Sequence, residues 1–142
     1  MPCVNFQIDP CIGPLLDLGI SSPLSLAPSG VPPMICWIKA VADTGATNTC
    51  VSPSAIARAS LPLIGQAQVG TPNKIKTASV YSSDLFLRCT FVGKTTEFAF
   101  RDIPVTELIA PSPKNDALLG MDILRLGILV TNGQTMTATF CW

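Results

Sequence analysis

Closely spaced turn signals divide this 142-residue chain into short runs, most of them rich in β-forming residues. Asn132-Gly133 is the strongest signal, because an Asn-Gly pair suits a tight hairpin turn whose residues need positive φ. It separates residues 127–131 from residues 135–141, where apolar side chains alternate with threonines at the two-residue period of a strand. This pattern predicts a mainly β fold.

Two other hairpins and one buried strand are predicted in the middle of the chain. Gly70-Thr71-Pro72-Asn73 and Val92-Gly93-Lys94 each combine turn-forming residues with β-rich runs on both sides. Residues 34–42 follow a pair of prolines and contain mostly β-formers, so we expect a buried strand that ends immediately before Asp43.

Helix signals are limited to two short segments. Ser52 is placed to act as an N-cap and Pro53 to occupy the first helical position, which predicts one or two turns of helix. Residues 116–126 are the best candidate for a second helix, with Asp116 as its N-cap.

The N-terminal segment is the least regular part of the sequence. Residues 1–30 are punctuated by Pro and Gly, and the apolar stretch at residues 12–20 predicts an opening strand. We find no internal repeat and no long linker. We therefore assign residues 31–142 to one domain and treat residues 1–30 as a segment that is either part of that domain or removable.

Composition excludes several kinds of chemistry. The chain has no His, which removes Ser-His-Asp catalysis and His-based zinc sites, and we predict neither a metal nor a cofactor. Lys+Arg and Asp+Glu balance at 9 each, so we expect no nucleic-acid partner. No apolar run approaches the roughly 20 residues of a membrane span, and the N-terminus lacks signal-peptide features, which predicts a cytoplasmic location.

The six cysteines form no Cys-x-x-Cys pair, so a zinc ribbon or redox motif has no support. An even number of cysteines permits disulfides. Without a secretion signal, however, buried free thiols are the preferred interpretation.

Carboxylate chemistry remains, and Asp43-Thr44-Gly45-Ala46-Thr47 is the candidate site. An Asp on a tight turn can face a second carboxylate with a water between them, and two such groups share one proton. The ionised carboxylate then activates the water, while the protonated one donates a proton. Gly45 allows a close turn, and Thr44 offers a hydroxyl to lock it. The same tripeptide also forms ordinary turns, so alone it is a weak signal.

Two motifs together resemble those of retropepsins. Val41-Ala42-Asp43-Thr44-Gly45-Ala46-Thr47 looks like their active-site segment, and Ala117-Leu118-Leu119-Gly120-Met121-Asp122-Ile123-Leu124 looks like their second signature. The intervening order also matches, with a short helix, a hairpin at residues 70–73 where a flap would fall, and further strands. The resemblance covers roughly residues 34–142.

The resemblance implies a closed β-barrel of the acid protease type with one or two short helices and an active site at a homodimer two-fold axis. It implies an aspartic endopeptidase acting on a polypeptide substrate, with Asp43 catalytic and Thr44, Gly45 and Ala46 in support. Substrate contacts would come from Thr47, from Gly70, Thr71, Pro72 and Asn73 of the flap, and from Leu118. Asp-Thr-Gly occurs once, which independently favours a dimer over a two-lobed enzyme.

Two alternatives remain open: a retropepsin-like binding or dimerisation module with little or no activity, and a plain β-domain with a chance motif. Asp122 is interpreted as a structural hydrogen-bond acceptor, and Asp84 as a solvated charge. Trp142 and residues 135–141 are interpreted as packing elements that could also contribute to a dimer sheet.

Overall fold

The computed structural model describes residues 1–71 and 73–142. Within them the chain forms ten strands, two short α-helices and one 3-10 turn at Leu24–Leu26. In chain order the elements are β1 (Cys3–Asp9), β2 (Gly13–Ser21), β3 (Cys36–Ala42), β4 (Cys50–Val51), α1 (Pro53–Arg58), β5 (Leu63–Thr71), β6 (Lys74–Phe91), β7 (Lys94–Glu107), β8 (Ala117–Leu119), α2 (Met121–Leu124), β9 (Ile128–Asn132) and β10 (Thr137–Cys141).

Six of these strands close into a barrel. They pair in the cyclic order β2, β3, β8, β4, β7 and β6, and the ring closes because β6 pairs with β2 as well as with β7. Strand β5 extends from β6 as a hairpin, while β1, β10 and β9 continue the sheet outward from β2. The predicted mainly β barrel with two short helices is therefore confirmed.

The barrel core follows from the alternation of side chains along each strand. In β2, Leu16, Leu18 and Ile20 are at most 2% exposed, while Asp17 between them faces solvent. In β10, Ala138 and Phe140 are buried in the same way. This two-residue period places one face of β2 and one face of β10 in the core.

Local turn chemistry is confirmed at Val92-Gly93 and at the cap of α1, but not at Asn132-Gly133, where neither residue has the positive φ of a tight hairpin turn. Strands β5 and β6 form the predicted antiparallel pair, which extends as far as Thr71 and Lys74. Pro72, which belongs to the predicted turn, lies outside the described residues. Strands β6 and β7 are joined through Val92 and Gly93, both with positive φ. The Asn132 side chain accepts hydrogen bonds from the amides of Gln134 and Thr135. The loop between β9 and β10 runs over residues 133–136. Ser52 caps α1 by accepting a hydrogen bond from the Ala55 amide at 3.3 Å.

The predicted helix over residues 116–126 is wrong. Residues 117–119 form β8, which pairs in parallel with β3, and only Met121–Leu124 is helical. Asp116 is not an N-cap of α2. Its carboxylate accepts hydrogen bonds from the Ser52 hydroxyl and the Arg58 guanidinium.

The N-terminal segment contributes two strands. The predicted opening strand appears as β2, and β1, which the sequence did not indicate, lies between β2 and β10. Cys3 and Cys141 form a disulfide that joins β1 to β10, so the expectation of free thiols is wrong for this pair. Of the four free cysteines among the described residues, only Cys89 is buried.

Asp84 is a second correction, because it is fully buried rather than solvated. Its carboxylate accepts hydrogen bonds from the amides of Leu24 and Asp102 and from the Arg101 guanidinium at 2.6 Å. Burial alone would raise the pKa of Asp84, but these donors outweigh it and hold the pKa below its ordinary value of 3.8. The group fastens the 3-10 turn at Leu24–Leu26 to the barrel.

Candidate active site

Asp43 lies at the point where β3 leaves the barrel. Ala42, the last strand residue, is 6% exposed, whereas Asp43 is half-buried. The Asp43 amide donates to the Leu119 carbonyl at 3.0 Å, which ties the strand end to β8. The chain then turns, and the Ala46 amide donates to the Asp43 carbonyl at 3.2 Å. Asp43 is therefore held by backbone bonds on both sides.

The glycine after Thr44 permits this turn. The Gly45 amide donates to Oδ1 of Asp43 at 2.8 Å, and a Cβ at Gly45 would lie 3.1 Å from the same oxygen. A side chain there would crowd the carboxylate. Thr44 is exposed, and its hydroxyl makes no hydrogen bond to any described residue. Its role in locking the turn stays a prediction.

Asp122 supports the turn from behind and is structural, as predicted. Its two carboxylate oxygens accept hydrogen bonds from the Thr49 amide at 2.9 Å and the Thr49 hydroxyl at 2.8 Å. The Thr49 hydroxyl in turn accepts from the Gly120 amide at 3.1 Å. Thr49 is fully buried, so this network links the end of the Asp43 loop to the start of α2.

Helix α2 also bonds to the loop through its backbone. The Met121 amide donates to the Ala46 carbonyl at 2.8 Å, and the Asp122 amide donates to the Thr47 carbonyl at 3.2 Å. A Cβ at Gly120 would lie 2.5 Å from the backbone of Asn48. Only glycine allows this close approach of the second motif to the chain that follows the first.

Asp43 lines a cleft of about 620 Å³ between the loop at residues 43–48 and the β5–β6 hairpin. One wall comes from the loop, another from the hairpin and a third from residues 106–110, at the end of β7 and just beyond it. The full set of lining residues is Asp43, Gly45, Ala46, Thr47, Asn48, Cys50, Gln68, Val69, Gly70, Lys76, Thr106, Glu107, Leu108, Ile109, Ala110 and Leu118.

The cleft brings together most of the residues singled out from the sequence. Asp43, Gly45, Ala46, Thr47, Gly70 and Leu118 all line it. Thr44 and Asn73 do not, and Pro72 and the side chain of Thr71 lie outside the described part of the chain. Their roles in substrate binding stay predictions.

Sequence reasoning missed residues on two of the walls. Val69 and Lys76 face each other in the hairpin register, so locating the turn at residues 70–73 and counting outward would have found them. Residues 106–110 carry no local signal, because a parallel pairing of β4 with β7 brings them to the site.

Three ionisable groups besides Asp43 line the cleft: Lys76, Glu107 and the Cys50 thiol. Burial raises the pKa of Cys50, and the nearby carboxylates of Asp122 and Asp43 add to the rise, so the thiol is protonated and weakly nucleophilic. Among the described residues, no cluster of His, Cys, Asp and Glu is arranged to hold a metal ion. No helix in the described chain is long and apolar enough to cross a membrane.

Comparison with solved structures shows the fold. The chain is similar to a retropepsin-like aspartic protease from Rickettsia conorii, with a TM-score of 0.60 and 12% sequence identity. The match covers 97% of this chain and 89% of that one. The fold is therefore retropepsin-like. No curated protein matches the chain.

Comparison with protein families reaches the same conclusion from the sequence. The aspartyl protease family model matches residues 37–123, which is more than half of the chain and spans both the Asp43 loop and α2. The chain belongs to the aspartyl protease family.

Proposed function

We propose that this protein is an aspartic endopeptidase in which Asp43 and its symmetry mate in a homodimer activate a water molecule. The observation that carries the proposal is the position of the Asp43 carboxylate and the small number of its hydrogen bonds. It is held at the floor of a peptide-sized cleft, and Gly45 is its one hydrogen-bond donor among the described residues. The rest of its acceptor capacity faces the cleft.

The chemistry needs two such carboxylates. One accepts a proton from water as the water oxygen attacks the peptide carbonyl carbon. The other carries the shared proton and donates it toward the carbonyl oxygen, after which the amide nitrogen is protonated and leaves. Rigid placement matters, because general acid-base catalysis depends on hydrogen-bond distances within a few tenths of an ångström.

The second carboxylate must come from another chain. Asp-Thr-Gly occurs once in the sequence, and the other buried carboxylates serve as structural acceptors. A two-fold dimer would supply a second Asp43 through a self-complementary interface. The exposed Thr44 hydroxyl, which has no partner among the described residues, would lie beside that interface.

The cleft favours an extended peptide with apolar residues at the cut. Val69, Leu108, Ile109 and Leu118 provide apolar walls next to Asp43. The β5–β6 hairpin presents backbone groups above the site, and such groups can bind an extended chain through strand-like hydrogen bonds. The hairpin would act as a flap.

The test is cleavage of a diverse peptide mixture between pH 4 and 7 by the wild type and by Asp43→Asn. We expect the wild type to cleave and the variant to lose activity by about a thousandfold or more, since the general base is removed. Asp17→Asn is the matched control, because Asp17 is exposed and pairs with Lys39 far from the cleft. It should cleave like the wild type.

The other outcomes are also informative. Equal cleavage by the wild type and Asp43→Asn would remove Asp43 from its role. If the wild type and Asp43→Asn both bind peptides and neither cleaves them, the alternative of a binding module would be supported. Neither binding nor cleavage, together with a monomeric mass, would favour a domain without this function.

A further inference from the structure

The inner face of the flap carries a cation. Lys76 on β6 pairs in register with Val69 on β5, and both residues line the cleft. Ala78, two residues further along β6, is 4% exposed. Side chains two residues apart on a strand share a face, so Lys76 points to the barrel side of the flap rather than away from it.

The opposite wall carries an anion. Glu107 is the last residue of β7, is half-buried and lines the same cleft. The ion pairs formed among residues 1–71 and 73–142 involve neither Lys76 nor Glu107. The two charges therefore lie in one cleft without forming an ion pair with each other.

We propose that Lys76 and Glu107 determine substrate specificity by selecting charged side chains on either side of the cleaved bond. An acidic side chain directed at the flap would pair with Lys76, and a basic side chain directed at the opposite wall would pair with Glu107. The inference rests on the proposed function, because it concerns the peptide that lies over Asp43.

The physical basis is the removal of water when a peptide fills the cleft. Charges facing apolar walls are screened less than charges in bulk solvent. A peptide side chain of opposite charge therefore increases the binding affinity, and one of like charge lowers it. Asp43 at the floor adds negative charge, so the acidic side chain is expected at a position away from the cut. Successive side chains of an extended peptide point to opposite sides, so the flap and the opposite wall contact different positions of the peptide.

Dimer symmetry makes the preference appear twice. Each subunit would contribute one Lys76 and one Glu107 to the joint cleft. The acidic preference should therefore occur at matching distances before and after the cleaved bond. A specificity set by apolar walls alone would show no such paired charge preference.

The experiment compares cleavage profiles of the wild type, Lys76→Met, Lys76→Glu and Glu107→Gln on a peptide library at pH 6. We expect the wild type to prefer Asp or Glu over Asn or Gln at two flap-facing positions, at matching distances on either side of the cleaved bond, by about three- to tenfold in kcat/KM. Lys76→Met should abolish that preference, and Lys76→Glu should replace it with Lys or Arg. Glu107→Gln should remove a basic preference at a different position.

Lys94→Glu is the matched control. Lys94 begins β7 at the far hairpin, and the same substitution there changes the net charge equally without touching the cleft. Its profile should match that of the wild type. The Lys76-dependent preference should also shrink as salt rises from about 0.05 to 0.5 M, because screening weakens the pairing.

A binding measurement separates this inference from the proposed function. Fluorescence anisotropy of labelled peptides on Asp43→Asn reports the charge preference without any cleavage. If peptides bind with a preference that Lys76→Glu inverts, the inference holds even if the wild type cleaves nothing. Identical charge profiles for the wild type and Lys76→Glu, or no discrimination between acidic and basic peptides, would overturn it.

Discussion

Three aspartates of this chain show how environment divides one side-chain type into different roles. Asp84 accepts three hydrogen bonds from Leu24, Asp102 and Arg101, and the Asp122 carboxylate accepts from Thr49 and Ile123. Asp43 accepts one, from Gly45. A carboxylate saturated with donors holds structure, whereas one that keeps lone pairs toward a cleft is available for chemistry.

Asp84→Asn should destabilise the protein and make its free energy of unfolding fall less steeply at acidic pH. The neutral asparagine side chain cannot form an ion pair with Arg101, and it has one acceptor oxygen where the carboxylate has two. We therefore expect a loss of about 2–4 kcal/mol in the free energy of unfolding at pH 7. The pKa of Asp84 is lowered in the folded state, so its contribution is complete above the unfolded value of 3.8 and is lost as pH falls below it.

Chemical denaturation at pH 7, 5, 4 and 3 measures this effect. The difference in unfolding free energy between wild type and Asp84→Asn should be constant from pH 7 to 5 and shrink below pH 4. Asp17→Asn, at an exposed ion pair, should change stability by less than about 0.5 kcal/mol. A difference that stays constant down to pH 3 would contradict the role assigned to Asp84.

At the scale of elements, the sequence predicted what is determined locally. The hairpin turns and the cap of α1 depend on residues within a few positions of each other, such as Ser52 and Ala55. Residues 116–126 were mispredicted because a short apolar run fits a helix and a buried strand equally well. The parallel pairing of Ala117 with Ala40 decides the outcome, and that contact is not local.

Strand β1 and the Cys3–Cys141 disulfide were missed for a related reason. The partners are the two ends of the chain, 138 residues apart, and no spacing rule connects them. Likewise, the Asp43 loop was predictable from its own motif, while the wall at residues 106–110 depends on how β4 and β7 meet. Motif chemistry is local, but cleft shape is not.

The N-terminal strands are expected to be integral to the domain rather than removable. A chain of residues 31–142 would lack Phe6, Leu16, Leu18 and Ile20 from the core. Each buried side chain of this size contributes about 1.5–3 kcal/mol. Their sum is comparable with the roughly 5–15 kcal/mol by which a typical domain is stable. We therefore expect residues 31–142 alone to be unfolded, as measured by near-UV circular dichroism and thermal melting.

The double variant Cys3→Ser and Cys141→Ser is the control for this truncation, because it removes the disulfide and keeps both strands. It should remain folded and lose about 2–4 kcal/mol. A cooperative melting transition in residues 31–142 would show instead that the N-terminal segment is dispensable.

At the scale of the whole molecule, the sheet formed by residues 1–71 and 73–142 ends in two edges, β5 and β9. Strand β5 belongs to the hairpin that lines the cleft. Strand β10, considered from the sequence as part of a dimer sheet, already has β1 and β9 as partners, so it cannot itself pair with a second copy. In the described chain, the edge available for continuing the terminal sheet is β9.

The composition of β9 suits pairing with its own copy. The strand contains no charged residue, so two copies can approach without like charges facing each other. Ile128 and Val130 are 59% and 57% exposed, and they share one face. An exposed, uncharged edge of this kind is what soluble monomers normally avoid. It also follows α2, which is bonded to the Asp43 loop.

Val130→Asp and Val130→Lys should therefore each shift the protein from dimer to monomer, because antiparallel pairing about Val130 would bring two like charges together. An equimolar mixture of the two variants should restore the dimer, since the pair then carries opposite charges. Sedimentation velocity measures the mass, and peptide cleavage should be lost and regained in parallel. Val92→Asp, at an exposed hairpin tip that is 86% accessible, should leave both unchanged. If the wild type is dimeric and both Val130 variants remain so, β9 is not the interface, because Val130 is the central residue of the strand and a β9–β9 pair would bury two like charges there.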